Sequence, residues 1–266
     1  MKGSKILPLA LALFIPLIAK TAPALEIYCG GVSGCADLAV DENSDDYRAS
    51  GGNIYIHSVG WDNHTNEAQK QSIIQLWKNH KWGIEMGFST NNYTARQNAY
   101  VSRYLNRGIQ ADFITVNAYS SARIPGVDDW KNTIQAYYNR GVAADTPIYA
   151  TFEYQNMPEY WTNLHNNLVS QRTDFQQIIE ASGGMTIDIP PTVYFRRIQN
   201  PNPNIQKYHD WILDAIAWAQ ERNYTVGIIV SPNRAGSGYD EDTRDFIKIL
   251  TDEDSLPDFF VVENYD

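Results

Sequence analysis

The chain has 266 residues and a formal charge of −10, with 31 acidic against 21 basic side chains. Such a surface repels phosphate backbones, which argues against nucleic acid as a partner. The 17 tyrosines and 7 tryptophans are flat amphipathic rings that suit the apolar faces of sugars, although large cores use the same residues.

In chain order, residues 1–24 read as a signal peptide. Lys2 and Lys5 precede an apolar run over 6–19, and Ala22-Pro23-Ala24 supplies small residues for cleavage. The run is short for a membrane span and is broken by Pro8 and Pro16. The expected product is secreted or periplasmic, without membrane contact once the signal is removed; a retained anchor is the alternative. Three lysines leave with the signal, so the mature balance is more acidic still.

Residues 25–52 read as a Gly- and Asp-rich N-terminal extension. Cys29 and Cys35 flank "GGVSG", and in an exported chain the simplest expectation is a small-loop disulfide between them. A metal pair would need further ligands that this stretch lacks. "DENSDD" at 41–46 reads as a solvated loop.

From residue 53 a rhythm begins. β-branched and aromatic runs occur at "NIYIHSVG", "WGIEMGF", "ADFITVNAY", "TPIYATFEY", "MTIDIP", "YTVGIIVSP" and "DFFVVENY". Helical spacing lies between them, clearest where Tyr208, Trp211, Ile212, Ala215, Ile216 and Ala219 fall on one face. Alternating strands and helices predict a parallel sheet covered by helices, and the length and regular repeat favour a (β/α)₈ TIM barrel over 53–266. No dinucleotide fingerprint follows the first of these strands, where "SVGWDN" lacks the required glycines. Only seven strands are counted, so the barrel reads as truncated after the seventh and the chain as a fragment. The rival expectation is that "LEIYC" supplies the eighth strand.

Active groups of such barrels gather at the C-terminal strand ends. Counting from residue 53, these ends offer His57 and Asp62, then Glu85, Asn117 with Tyr119, Glu153, Asp188, Asn233, and Glu263 with Asn264 and Tyr265. A carboxylate inside an apolar run is costly to bury and needs a reason. Glu153 and Glu263 form the sharpest pair, because strands four and seven of that count face each other across the mouth. A separation of about 5–5.5 Å would suit a retaining glycosidase. Each could instead brace a loop or pair with an arginine, and Asp188 before Pro190-Pro191 has the same alternative.

The stretches "YATFEYQN" and "FFVVENY" resemble the large retaining clan of TIM-barrel glycoside hydrolases, whose catalytic glutamates end strands four and seven. The resemblance implies Glu153 as acid/base, Glu263 as nucleophile, and a poly- or oligosaccharide substrate. That clan commonly places Asn before the acid/base, whereas this chain has Phe152, so a sugar 2-hydroxyl would fall to Asn117 or Asn156. Candidate substrate-binding residues are Trp61, Asn117, Tyr119, Tyr154, Asp188, Asn233 and Tyr265, with Tyr194 a further aromatic platform. Trp61 is favoured because its loop, "GWDNHTNE", is polar.

No cofactor or metal is expected, and the chain is expected to be a monomer. Two other readings compete. His57 and Glu85 would suit a phosphodiesterase barrel of the phospholipase type, although no second strand-end histidine accompanies them. A non-catalytic carbohydrate-binding barrel would share the composition. HExxH, HxH and GxSxG signatures do not occur, which argues against zinc-dependent and serine hydrolases.

Overall fold

A computed structural model describes residues 25–31, 48–57, 66–86, 93–117, 126–153, 169–191, 203–231 and 239–263, with the isolated positions Asp45, Trp61 and Tyr194. Eight parallel strands close into a barrel in sequence order. They are β1 (Glu26–Gly31), β2 (Asn53–His57), β3 (Trp82–Met86), β4 (Phe113–Asn117), β5 (Ile148–Glu153), β6 (Gly184–Ile189), β7 (Thr225–Val230) and β8 (Phe259–Glu263). From β2 onward a helix joins each strand to the next: α1 (Glu67–Trp77), α2 (Tyr93–Arg103), α3 (Val127–Tyr138), α4 (Val169–Ser182), α5 (Pro203–Gln220) and α6 (Tyr239–Asp252).

The α/β barrel expected from the sequence is therefore present, but the missing eighth strand is not missing. β1 pairs with β2, Tyr28 opposite Asn53, and with β8, from Glu26 opposite Phe259 to Gly30 opposite Glu263. The barrel begins at residue 26 rather than 53, so Glu26–Gly31, expected within an N-terminal extension, is one of its strands. The count of strands shifts by one, so Glu153 ends β5 and Glu263 ends β8, not strands four and seven.

Alternation along each strand divides the core. Ile54, Ile56, Ile84, Ile114, Met185, Ile187, Val226 and Ile228 face outward and pack under the helices. Ile212, Ala215, Ile216 and Ala219 of α5 are buried against this layer, as their spacing predicts. Facing inward is a second, smaller cluster: Tyr28, Tyr55, Phe113, Tyr149, Ile229, Phe259 and Val261. Barrel interiors are usually filled by branched aliphatics in layers. Here aromatics do it, meeting edge-on or tilted, as with Tyr28 and Phe113 at 4.9 Å and Phe113 and Phe259 at 4.6 Å.

Glycines make room for those rings. A Cβ on Gly83 would come within 2.4 Å of the Phe113 ring, and one on Gly227 within 2.1 Å of the Phe259 ring. The two halves repeat this device. Asp112-Phe113 opens β4 and Asp258-Phe259 opens β8. Each aspartate accepts a backbone N–H at 2.7 Å from the preceding strand, Trp82 in one case and Val226 in the other. Between strands, local rules hold as well: Asn66 caps α1 and Gln69 returns the bond, a reciprocal pair that satisfies two orphan donors.

Candidate active site

Above the aromatic layer the inward rows turn polar. Thr115, Thr151 and Thr186 are fully enclosed, and the hydroxyls of Thr151 and Thr186 lie 2.7 Å apart. Their pairing satisfies groups that would otherwise be costly at this depth. One step further, at the C-terminal mouth, the described inward side chains are His57 on β2, Glu85 on β3, Asp188 on β6, Ser231 just past β7, and Glu263 on β8.

Glu85 is 4% exposed and Glu263 only 1%. His57 Nε2 lies 3.2 Å from Glu85 Oε1, forming an ion pair when the ring is protonated. Glu85 Oε2 accepts a long hydrogen bond of 3.4 Å from the Tyr55 hydroxyl, which itself lies 2.5 Å from Thr115 Oγ1. Burial disfavours the imidazolium, but the Glu85 charge and hydrogen bond, with the Asp188 charge, outweigh it and raise the His57 pKa above its ordinary value. Asp188, half-buried, accepts a 2.9 Å hydrogen bond from Ser231 Oγ.

Of the residues singled out in the sequence, the structure gathers His57, Glu85, Asp188 and Glu263 at one mouth. Glu153 and Asn117 occupy the strand-end positions of β5 and β4, and Glu153 is in register with Asp188; their side chains lie outside the described parts of the structure. Tyr119, Tyr154, Asn156, Asn233 and Tyr265 also lie outside the described residues. Trp61 does not serve as an exposed platform. It is wholly enclosed, its ring 5.8 Å from that of Tyr104 and 5.9 Å from Lys70 Nζ. Its polar neighbours in sequence misled, because its ring packs into the core whatever their polarity. Tyr194 is likewise core, 2% exposed, stacked edge-on against Phe246 and hydrogen-bonded to His209. Cys29 sits on β1 with a free thiol, its pKa raised by burial; Cys35 lies outside the described residues.

The support beneath the mouth was not singled out in the sequence. Ser231, Tyr55 and Thr115 are ordinary strand residues by composition. The available signal was alternation: Tyr55 stands two before His57, and Thr115 two before Asn117, on the same inward rows.

A closed parallel barrel whose polar groups converge at the C-terminal strand ends has the layout on which barrel enzymes place their sites. No family model matches the chain, and no curated protein matches it in sequence. Among solved structures, the chain is similar to a GH18 chitinase from Pseudoalteromonas aurantia, with a TM-score of 0.52 and 13% identity over 91% of this chain and 93% of that one. It also matches a candidate isomerase from Sinorhizobium meliloti, with a TM-score of 0.47 and 11% identity. The alignment covers 91% of this chain but 50% of the isomerase, so the chain spans about half that protein's length. The chitinase likeness extends over both chains and supports the fold alone.

Proposed function

We propose that this chain is an exported glycoside hydrolase that cleaves poly- or oligosaccharides at the C-terminal mouth of its barrel by a two-carboxylate retaining mechanism. The observation that carries the reading is Glu263, a carboxylate 1% exposed on the inward row at the end of β8. Holding an ionisable group at such depth is expensive, and positions that do so at a barrel mouth are candidates for chemistry.

Glu263 is assigned as nucleophile and Glu153 as acid/base. The shift in strand count leaves their relation intact: β5 and β8 are three strands apart, as strands four and seven are. In the first step the Glu263 carboxylate attacks the anomeric carbon while Glu153 donates its proton to the departing glycosidic oxygen. In the second, Glu153 takes a proton from water, whose oxygen displaces Glu263 and restores both groups. Asp188 and Asn117, on β6 and β4, are assigned to binding sugar hydroxyls.

Reducing-end release across a glycan panel tests the reading directly. The preferred glycan should then give a product of retained anomeric configuration. Glu263→Gln should lower turnover by about 10³-fold or more, with the affinity for oligosaccharide kept. Near-normal activity in that variant would sink the nucleophile assignment. The His57–Glu85 pair favours one second reading, general acid/base cleavage of a phosphodiester; release of nitrophenol from a bis(nitrophenyl) phosphate, with every glycan inert, would select it.

A further inference from the structure

A connected set of buried polar groups in the mouth has no part in the two-glutamate chemistry. It runs from Thr115 Oγ1 through the Tyr55 hydroxyl and the Glu85 carboxylate to His57 Nε2. The set draws on three neighbouring strands, β4, β2 and β3. Its inner members are sealed, Thr115 and Tyr55 at 0% exposure. The last two differ: the Glu85 side chain is 5% exposed and that of His57 16%. The imidazole, at the C-terminal end of β2, is thus the more exposed of the two.

We propose that Glu85 is a positioning residue which, braced by Tyr55 and Thr115, fixes the His57 ring at the mouth, and that His57 so held acts on the substrate as a hydrogen-bond donor. The proposal rests on the mouth being the glycoside-cleaving site. The Tyr55 hydroxyl, held by Thr115, bonds Glu85 Oε2 while Oε1 faces the imidazole, the arrangement by which a carboxylate fixes a histidine's tautomer and orientation. The ionisable groups facing His57 are Glu85 from β3 and, from the opposite wall, Asp188 on β6; the hydroxyl of Tyr55 stands behind Glu85. Both carboxylates favour the imidazolium over burial. A cation there also offsets the charges of Glu85 and Asp188 at one rim. An ion pair serving stability alone would not need its histidine turned to the mouth.

The test combines an NMR titration of the His57 ring, assigned with His57→Gln, and pH profiles of kcat/KM on the glycan found to be cleaved, all on the mature chain. Glu85→Gln keeps the shape and loses the charge. It should move the His57 titration downward, draw the alkaline limb of the profile down with it, and lower kcat by about 10-fold or more with KM little changed. Because a single variant leaves one buried partner uncompensated, His57→Gln/Glu85→Gln is measured too; removing both charges together spares the fold. It should lose the His57 component of the alkaline limb and keep the one set by the Glu153 proton. A titration unmoved by Glu85→Gln, or a double variant with wild-type turnover and limb, overturns the positioning role while leaving the glycosidase reading intact. A wild-type chain inert on every glycan sinks that reading, and with it the role given to His57.

Discussion

Glu85 and His57 share one charge balance, and its consequence reaches beyond the reaction. Protonated His57 neutralises a carboxylate that is 4% exposed, and a buried charge left alone is strongly destabilising. The folded His57 pKa lies above its ordinary value of 6.5. A group with a raised folded pKa contributes stability that is fully present below the unfolded value and is lost as pH rises through the folded one. Unfolding by urea, followed from below pH 6.5 into the alkaline range, should therefore show a stability component that declines with rising pH. The His57→Gln/Glu85→Gln chain should lack it. Identical pH slopes in the two proteins would show that the pair carries no such linkage.

Among the elements, β1 was legible only as the rival expectation, "LEIYC" as the eighth strand, which its pairing with β2 and β8 bears out. The other seven strands are legible because each is a run of β-branched or aromatic residues standing between helical stretches. β1 is six residues, "EIYCGG". Its inward row is Glu26, Tyr28 and Gly30, a charge, one aromatic and a glycine, so neither alternation nor composition marks a barrel strand. The glycine is there because β1 and β2 run too close for a side chain: a Cβ on Gly30 would sit 2.1 Å from the carbonyl oxygen of Tyr55. That oxygen is backbone and cannot swing away, so Gly30→Ala must push β1 from β2. We expect a loss of about 1–3 kcal/mol, in the range of overpacked cores. Activity should fall as well, since Gly30 is paired in register with Glu263. Thermal unfolding and turnover of the single variant check both; an unchanged melting temperature would mean that the strands adjust more freely than their packing implies.

The site was legible in part for a related reason. Strand ends can be read from a pattern, which is how His57, Glu85, Asp188 and Glu263 were found before any geometry. Depth cannot. Trp61 looked exposed beside Asp62, Asn63 and His64, yet its ring packs on Tyr104, because the polarity of sequence neighbours does not set which way one side chain turns. The Tyr55–Thr115 support depends on two residues 60 apart in sequence, a proximity that appears only once both strands pair with β3.

Closure is a property of the whole molecule, and β1 is where it can be tested. Its backbone is bonded on both sides, to β2 and to β8, while Tyr28 reaches the centre and meets Phe113 at 4.9 Å and Phe259 at 5.7 Å. Starting the chain at residue 32 instead of 25 removes this strand and little else. The ring would then open along β2 and β8, leaving two unpaired edges and exposing the aromatic interior to water. Because every strand is held by its neighbours in one continuous ring, the loss should not remain local. The chain 25–266 should unfold in a single cooperative step, with near-UV and far-UV dichroism changing together. The chain 32–266 should keep helical far-UV signal, lose near-UV signal, bind a hydrophobic dye and aggregate. A 32–266 chain that unfolds cooperatively at the same midpoint would show that β1 lies on the barrel without closing it.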